Sequence, residues 1–335
     1  MRQALYYKKL KIKTIQCTLC PHYCVLDDMQ TGKCDVRTNR NGILHSQNYG
    51  LISGMHADYI EKKPLYHFYP SKKILSVGTL GCNMTCNFCQ NHQISQPESL
   101  NLAGTTTQTP DEIIAAAEQE PNNIGIAYTY NEPTIWYEFV LDTAKKAAEK
   151  NLKNVLVSNG FINPEPLKQL IPYLDAANID LKAYSDEFYR KIAGAKPEPV
   201  LETIKTFAQN NIHTEITLLI IPELNDNIEE FKELLKFIKN ETDENTALHL
   251  SRYFPTYKSH QAITPEKTLK TLFDEAKKIL NFVYLGNIDT KTGKDTFCPN
   301  CNAKLIKRYR YNTQMPNLDK NGNCIKCGYH LLNNI

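Results

Sequence analysis

The run Gly81-Cys82-Asn83-Met84-Thr85-Cys86-Asn87-Phe88-Cys89-Gln90-Asn91 holds the densest chemistry in this chain. Its three cysteines stand in the spacing C-x3-C-x2-C, with no fourth cysteine nearby. An iron–sulfur cube has four irons, and each needs a ligand. Three protein thiolates leave one iron open to an outside molecule. That is the logic of a reactive site, whereas a structural zinc site closes all four positions. The competing reading is a zinc knuckle or a reduced structural cysteine cluster. A closed zinc site lacks its fourth ligand here.

Such a loop must be held by something rigid. Ile74-Leu75-Ser76-Val77-Gly78-Thr79, just before it, reads as a buried strand ending at a glycine. Further strand candidates are 123–129, 153–158, 177–182, 212–220, 246–252 and 281–286, with the first at 73–79. Amphipathic patterns lie between them. One opens at Thr109-Pro110-Asp111-Glu112, with a capping threonine, a proline in the first turn and acids at the positive end. Others run from Pro133 to Lys150, Pro197 to Asn210, Ile228 to Asn240 and Pro265 to Asn281. The alternation predicts a parallel α/β sheet. About six strand–helix units predict an open, partial (β/α)6 TIM-like barrel. The cysteine loop would then sit at the carboxyl end of the first strand. The expected division is a Cys-rich N-terminal module (1–70), a core domain (71–292) and a zinc-ribbon-like C-terminal module (293–335).

Composition narrows the function classes. The chain has 335 residues, 41% of them hydrophobic, which supports one large core with small appendages. A net charge of +3 gives no bulk electrostatic case for nucleic acid or membrane binding. The start, Met1-Arg2-Gln3-Ala4-Leu5-Tyr6-Tyr7-Lys8-Lys9, is too polar for a signal peptide, and no run has the length of a membrane span. The expected location is the cytoplasm. There, eleven cysteines argue for metal and not for disulfides.

The remaining cysteines fall into two groups at the ends. Cys298-Pro299-Asn300-Cys301 and Cys324-Ile325-Lys326-Cys327 give C-x2-C-x22-C-x2-C, a zinc-ribbon-like pattern slightly long in the middle. Two such knuckles close a tetrahedral site, and iron in a rubredoxin-like site uses the same ligands. The basic aromatic stretch from Lys304 to Tyr311 reads as an exposed hairpin. Cys17, Cys20, Cys24 and Cys34 are less regular. They suit zinc, the preferred reading, or a second iron–sulfur cluster.

The central motif resembles that of the radical S-adenosyl-L-methionine (SAM) enzymes. The longer run Ile60-Glu61-Lys62-Lys63-Pro64-Leu65-Tyr66-His67-Phe68-Tyr69-Pro70, leading to Leu75-Ser76-Val77-Gly78-Thr79, is similar to the AmmeMemoRadiSam system radical SAM enzymes. These are relatives of pyruvate formate-lyase activating enzyme. The resemblance implies a radical SAM barrel with a [4Fe-4S] cluster on Cys82, Cys86 and Cys89 and SAM on the open iron. It implies reductive cleavage of SAM to methionine and a 5′-deoxyadenosyl radical, which takes hydrogen from a substrate. It also implies a reductant such as a ferredoxin or flavodoxin, and a protein substrate or co-subunit. A departure is the absence of any cysteine between Cys89 and Cys298, where some activating enzymes carry a two-cluster insert after the radical motif.

Further stations follow from the resemblance. Tyr128-Thr129-Tyr130-Asn131-Glu132-Pro133 is similar to the segment that receives the SAM amino group. Its Asn131 and Glu132 also stand at a strand's carboxyl end before a proline-started helix, a good ligand position or a plain helix start. Ser158-Asn159-Gly160 looks like the station near the ribose, and equally like an Asn-Gly turn. Asp180 and Lys182 share one face of a strand. An inward acid and base are costly unless paired or used. The resemblance puts them beside SAM or substrate; the alternative is an internal ion pair. Glu215, Thr217, His249, Ser251 and Arg252 are weaker candidates, and a lone His249 suits a core position. Tyr253-Phe254-Pro255 lacks the histidine that activating enzymes often carry after a tyrosine.

Two other classes compete. One is a metal-binding interaction scaffold without SAM cleavage. The other is a radical enzyme modifying nucleic acid through Lys304, Lys307, Arg308 and Arg310, which the weak net charge disfavours.

Overall fold

A computed structural model describes residues 1–96, 104–309 and 312–333. Among these, seven parallel strands form the centre: Lys73–Gly78, Asn123–Tyr128, Lys153–Ser158, Ala176–Asp180, His213–Ile220, Leu248–Arg252 and Val283–Gly286. Each pairs with its successor in the chain. Their bounds fall within two residues of the sequence candidates. Ile74, Val77, Ile126, Val155, Ile179 and Ile216 are fully buried. Helices cover one face and the barrel interior the other, so these strands are apolar without strict alternation.

The sheet stays open. Val283–Gly286 is one edge, and Gly54–Tyr59 runs antiparallel to Lys73–Gly78 at the other. The architecture is a partial α/β barrel of strand–helix units, flanked by cysteine-rich segments at both ends.

Local chemistry sets the helix starts. Thr109 Oγ1 accepts from the Glu112 amide at 3.3 Å, while Glu112 accepts from the Thr109 amide at 2.7 Å. This reciprocal cap opens Pro110–Gln119. The helix expected from Pro133 to Lys150 begins instead as a 3-10 turn, Pro133–Trp136, and turns α only at Tyr137–Glu149. The Glu132 carboxylate accepts from the Thr134 amide and caps the tighter turn. The last helix, Glu266–Ala276, stops before the expected Asn281. Leu280 is drawn into the core, and the Asn281 amide donates to the Glu244 carbonyl.

The foot of the barrel is plugged by the family-like run. Leu65 and Phe68 are buried, Asn178 donates to the Pro64 carbonyl at 2.9 Å, and the His67 amide donates to Glu215 at 2.7 Å. At the N-terminal end, small antiparallel sheets lean on helix Tyr137–Glu149 through Arg37 and Glu138. At the C-terminal end, Lys304–Tyr309 pairs antiparallel with Asn312–Gln314, a hairpin as expected but not an exposed one, since Leu305, Ile306 and Arg308 are buried against the ribbon and the barrel; Arg310 and Tyr311 lie outside the described residues. No described helix is long and apolar enough to cross a membrane.

Candidate functional site

The cysteine loop leaves the first parallel strand at its carboxyl end. Gly81 takes φ +93°, and a Cβ there would fall 2.5 Å from the Cys34 carbonyl oxygen. Only glycine fits this approach. Asn131 fastens the same stretch, accepting from the Thr79 amide at 3.1 Å and donating to the Gly81 carbonyl at 2.7 Å.

Cys82, Cys86 and Cys89 line an open cavity of about 240 Å³. Asn131, Glu132, Asn159, Asp180 and Lys182 line it too, from the ends of three different strands. Met84 and Phe88 add buried apolar walls. Ser158 does not reach this cavity; its hydroxyl instead donates to Glu132 from behind at 2.7 Å.

The sulfurs are supplied with donors. Cys82 Sγ accepts from the Met84 amide at 3.4 Å and from Asn159 Nδ2 at 3.8 Å. Cys89 Sγ lies 3.1 Å from Ser95 Oγ. Burial pushes the Cys82 thiol well above its usual range. It pushes Cys86 up to about 11, against the pull of Lys182. Thiols this buried keep their protons unless a cation takes their place.

Glu132 is 1% exposed and already holds three donors: the Thr134 amide at 2.8 Å, Ser158 Oγ at 2.7 Å and the Asn159 amide at 2.8 Å. Burial raises its pKa, and these bonds only partly offset the rise. Its carboxylate thus locks one strand end to the next. Asn159 passes that order to the loop, donating from Nδ2 to Asn83 Oδ1 at 2.9 Å. Asp180 and Lys182 form an ion pair at 3.1 Å. Burial works against the Lys182 charge, but Asp180 and Cys86 outweigh it and hold its pKa above the usual lysine value.

The weaker candidates divide. Thr217 and Ser251 line the cavity. Arg252 turns outward to the Thr264 carbonyl at 2.9 Å and to Glu266 at 3.4 Å. Glu215 and His249 meet at 2.6 Å near the barrel foot, away from the cysteine loop. His213 joins Glu215 at 3.1 Å, and His67 bonds Tyr284 at 2.6 Å. Sequence reading missed Ser95 beside Cys89 and the bridging role of Asn83. Asn83 had a signal, since it lies inside the motif; Ser95 had none.

At the C-terminus, the sulfurs of Cys298, Cys301, Cys324 and Cys327 all lie within 4.8 Å of one another. Cys298 and Cys327 are 3.5 Å apart, and Cys301 and Cys324 3.6 Å. One ion with about 2.3 Å bonds to sulfur fits between four thiolates at this spacing. Arg308 docks this unit on the barrel. Its guanidinium donates to the Tyr66 carbonyl at 2.7 Å and to Thr296 Oγ1 at 2.8 Å, stacked over the Tyr66 ring. Lys304 pairs with Asp295 at 2.7 Å. Two of the basic residues considered for nucleic acid are therefore engaged within the chain. Cys17, Cys20, Cys24 and Cys34 line one small cavity together with Asn83.

Known proteins share this layout. The family model described as the radical SAM superfamily matches residues 76–238. An uncharacterized protein of Methanocaldococcus jannaschii is 42% identical over 98% of this chain and 98% of its own length. The chain belongs to the radical SAM superfamily. Pyruvate formate-lyase-activating enzyme of Clostridium pasteurianum is 22% identical over 48% of this chain and 67% of its own, a distant radical SAM kinship. The crystal structure of Streptococcus suis SuiB bound to S-adenosylmethionine superposes with a TM-score of 0.52 at 14% identity. That overlap covers 69% of this chain and 54% of SuiB, and it speaks for the radical SAM fold.

Proposed function

We propose that this chain is a radical SAM enzyme of the AmmeMemoRadiSam type, acting in the manner of an activating enzyme on a residue of a partner protein. The observation that carries this reading is one cavity shared by Cys82, Cys86, Cys89 and the polar strand ends. Cys82, Cys86 and Cys89 hold a [4Fe-4S] cluster with one iron free for SAM. When bound, that pair supplies a one-electron cleavage of the sulfonium, giving methionine and a 5′-deoxyadenosyl radical that abstracts hydrogen.

The chain's own residues bind, aim and shield. Asn131, Glu132, Ser158 and Asn159 fix the loop against the second and third strand ends, so SAM meets a preformed wall. Asp180 and Lys182 present a paired charge to the same cavity, beside Cys86. Met84 and Phe88 keep water from the sulfurs. Kinship to activating enzymes favours a protein substrate, and a ferredoxin or flavodoxin in the cytoplasm is the matching electron donor. The C-terminal cysteines hold zinc in a ribbon over 293–335, apart from a core of 71–292.

The test is anaerobic reconstitution with iron and sulfide, then dithionite and SAM, with 5′-deoxyadenosine quantified by chromatography. Wild type forms the product, and Cys82→Ala, Cys86→Ala and Cys89→Ala do not. A reducible cluster in wild type with no product, with or without candidate partners, sinks the reading.

A further inference from the structure

The four N-terminal cysteines differ from the C-terminal four in a measurable way. A single ion draws four thiolates close, because each sulfur sits about 2.3 Å from the same centre. The C-terminal sulfurs meet that pattern, all lying within 4.8 Å of one another. Among the described residues, neither the N-terminal four nor the central three are gathered that tightly. In a cube each thiolate binds a different iron, so the sulfurs stand further apart.

Space gives a second, independent observation. Cys17, Cys20, Cys24 and Cys34 surround a cavity of about 10 Å³. That is room for about one water-sized sphere. All four cysteines line this one void, so the four thiols face a common space.

Place gives a third. The cavity is also lined by Asn83, which stands between Cys82 and Met84 of the central loop. His22, between Cys20 and Cys24, bonds the Asn83 carbonyl from Nε2 at 2.7 Å. The Cys34 carbonyl faces Gly81, next to Cys82, so closely that only glycine is accommodated. The two cysteine groups touch through backbone. Lys33, exposed, lines the same cavity.

We infer that Cys17, Cys20, Cys24 and Cys34 hold a second iron–sulfur cluster, and that electrons reach the central site through it. The inference rests on the proposed radical SAM chemistry for its purpose, but not for its metal content. One electron leaves a low-potential carrier of the ferredoxin or flavodoxin class, which is oxidised by one unit. It crosses at the Cys34–Gly81 contact. At the Cys82 side it replaces the electron consumed in breaking the carbon–sulfur bond of SAM.

The test uses the full chain, reconstituted anaerobically, with Cys82, Cys86 and Cys89 all changed to alanine. Iron, sulfide and zinc per chain are measured, and the dithionite-reduced protein is examined by electron paramagnetic resonance. The expected result is roughly four irons retained from a wild-type content of roughly eight, with a reduced-cluster signal and one zinc. Adding Cys17→Ser and Cys24→Ser removes that iron and leaves the zinc, which reports a folded C-terminal ribbon. Two zincs per chain with no iron signal overturn the inference. Retained iron alongside a wild type that makes no 5′-deoxyadenosine leaves this cluster standing and sinks the proposed function instead. In the otherwise wild-type chain, Cys20→Ser lowers 5′-deoxyadenosine formation from a protein donor ten-fold or more, with the central cluster's SAM-perturbed spectrum unchanged. An unaltered rate overturns the relay role.

Discussion

Arg37 and Glu138 form a fully buried, two-pronged ion pair, with both N–H···O distances at 2.9 Å. The same atoms also hold Leu5, whose amide donates to Glu138 at 2.7 Å and whose carbonyl accepts from Arg37 at 2.7 Å. Three chain segments far apart in sequence are thereby clamped. Breaking a buried pair by removing one partner leaves an uncompensated charge and costs about 3–5 kcal/mol. Glu138→Ala should lose that much in urea unfolding, with the N-terminal segment loosening first in hydrogen exchange. The double variant Arg37→Met, Glu138→Met should regain most of it. A single variant within experimental error of wild type would show that the clamp does not hold the module.

Glu132→Gln tests the lock between strand ends. Glutamine retains one acceptor oxygen but presents an amide NH2 to donors that need a second one. Either the Asn159 amide or the Ser158–Thr134 side is left unpaired, at about 1–3 kcal/mol. The variant should melt lower and bind SAM ten-fold or more weakly in anaerobic calorimetry, while keeping wild-type iron. Unchanged affinity would remove Glu132 from the binding wall.

The C-terminal ribbon should stand or fall with its metal. Cys301→Ala is expected to release one zinc per chain and lower the melting temperature, since folding and metal binding are coupled at such sites. Its iron content should not change, because Arg308 docks the ribbon on the barrel foot, away from the cysteine loop. Loss of iron together with zinc would contradict that separation.

Acid should destabilise the barrel foot. Burial pushes His67 down to about 3 in the folded chain, against about 6.5 when unfolded. Between these values the unfolded state binds the extra proton, so stability falls as pH falls. For Glu215, burial raises the pKa, but bonds from His213 and His249 outweigh it and hold it well below the usual range. A depressed carboxylate loses its contribution as pH falls, the same direction. The melting temperature should drop between pH 7 and pH 4.5, and His67→Gln should flatten that slope. Parallel slopes in the two proteins would rule out His67 as the titrating group.

Much of the catalytic frame could be read from the chain. Ile74-Leu75-Ser76-Val77-Gly78 is apolar enough to be a buried strand, and it lies beside the cysteines it must support. The spacing C-x3-C-x2-C is local, so it needed no partner from elsewhere. Proline and capping threonine marked Pro110–Gln119 for the same reason. Where a distant group competed, local reading failed. The Glu132 carboxylate turned the start of the next helix into a 3-10 turn, and burial of Leu280 ended the last helix early.

The sequence by itself determined the strand–helix alternation, the three cysteine groups and the polar residues at strand ends. These follow from short-range periodicity and fixed spacings, which every local segment carries within itself. Only the tertiary structure decided which polar residues share a cavity. It sent Ser158 behind Glu132, Glu215 and His249 to the foot, and Arg308 inward under Tyr66. It also set the cysteine groups apart, drawing one tight and leaving another open against Gly81. Those outcomes depend on burial and on partners up to hundreds of residues away, and no local pattern encodes a distance in space.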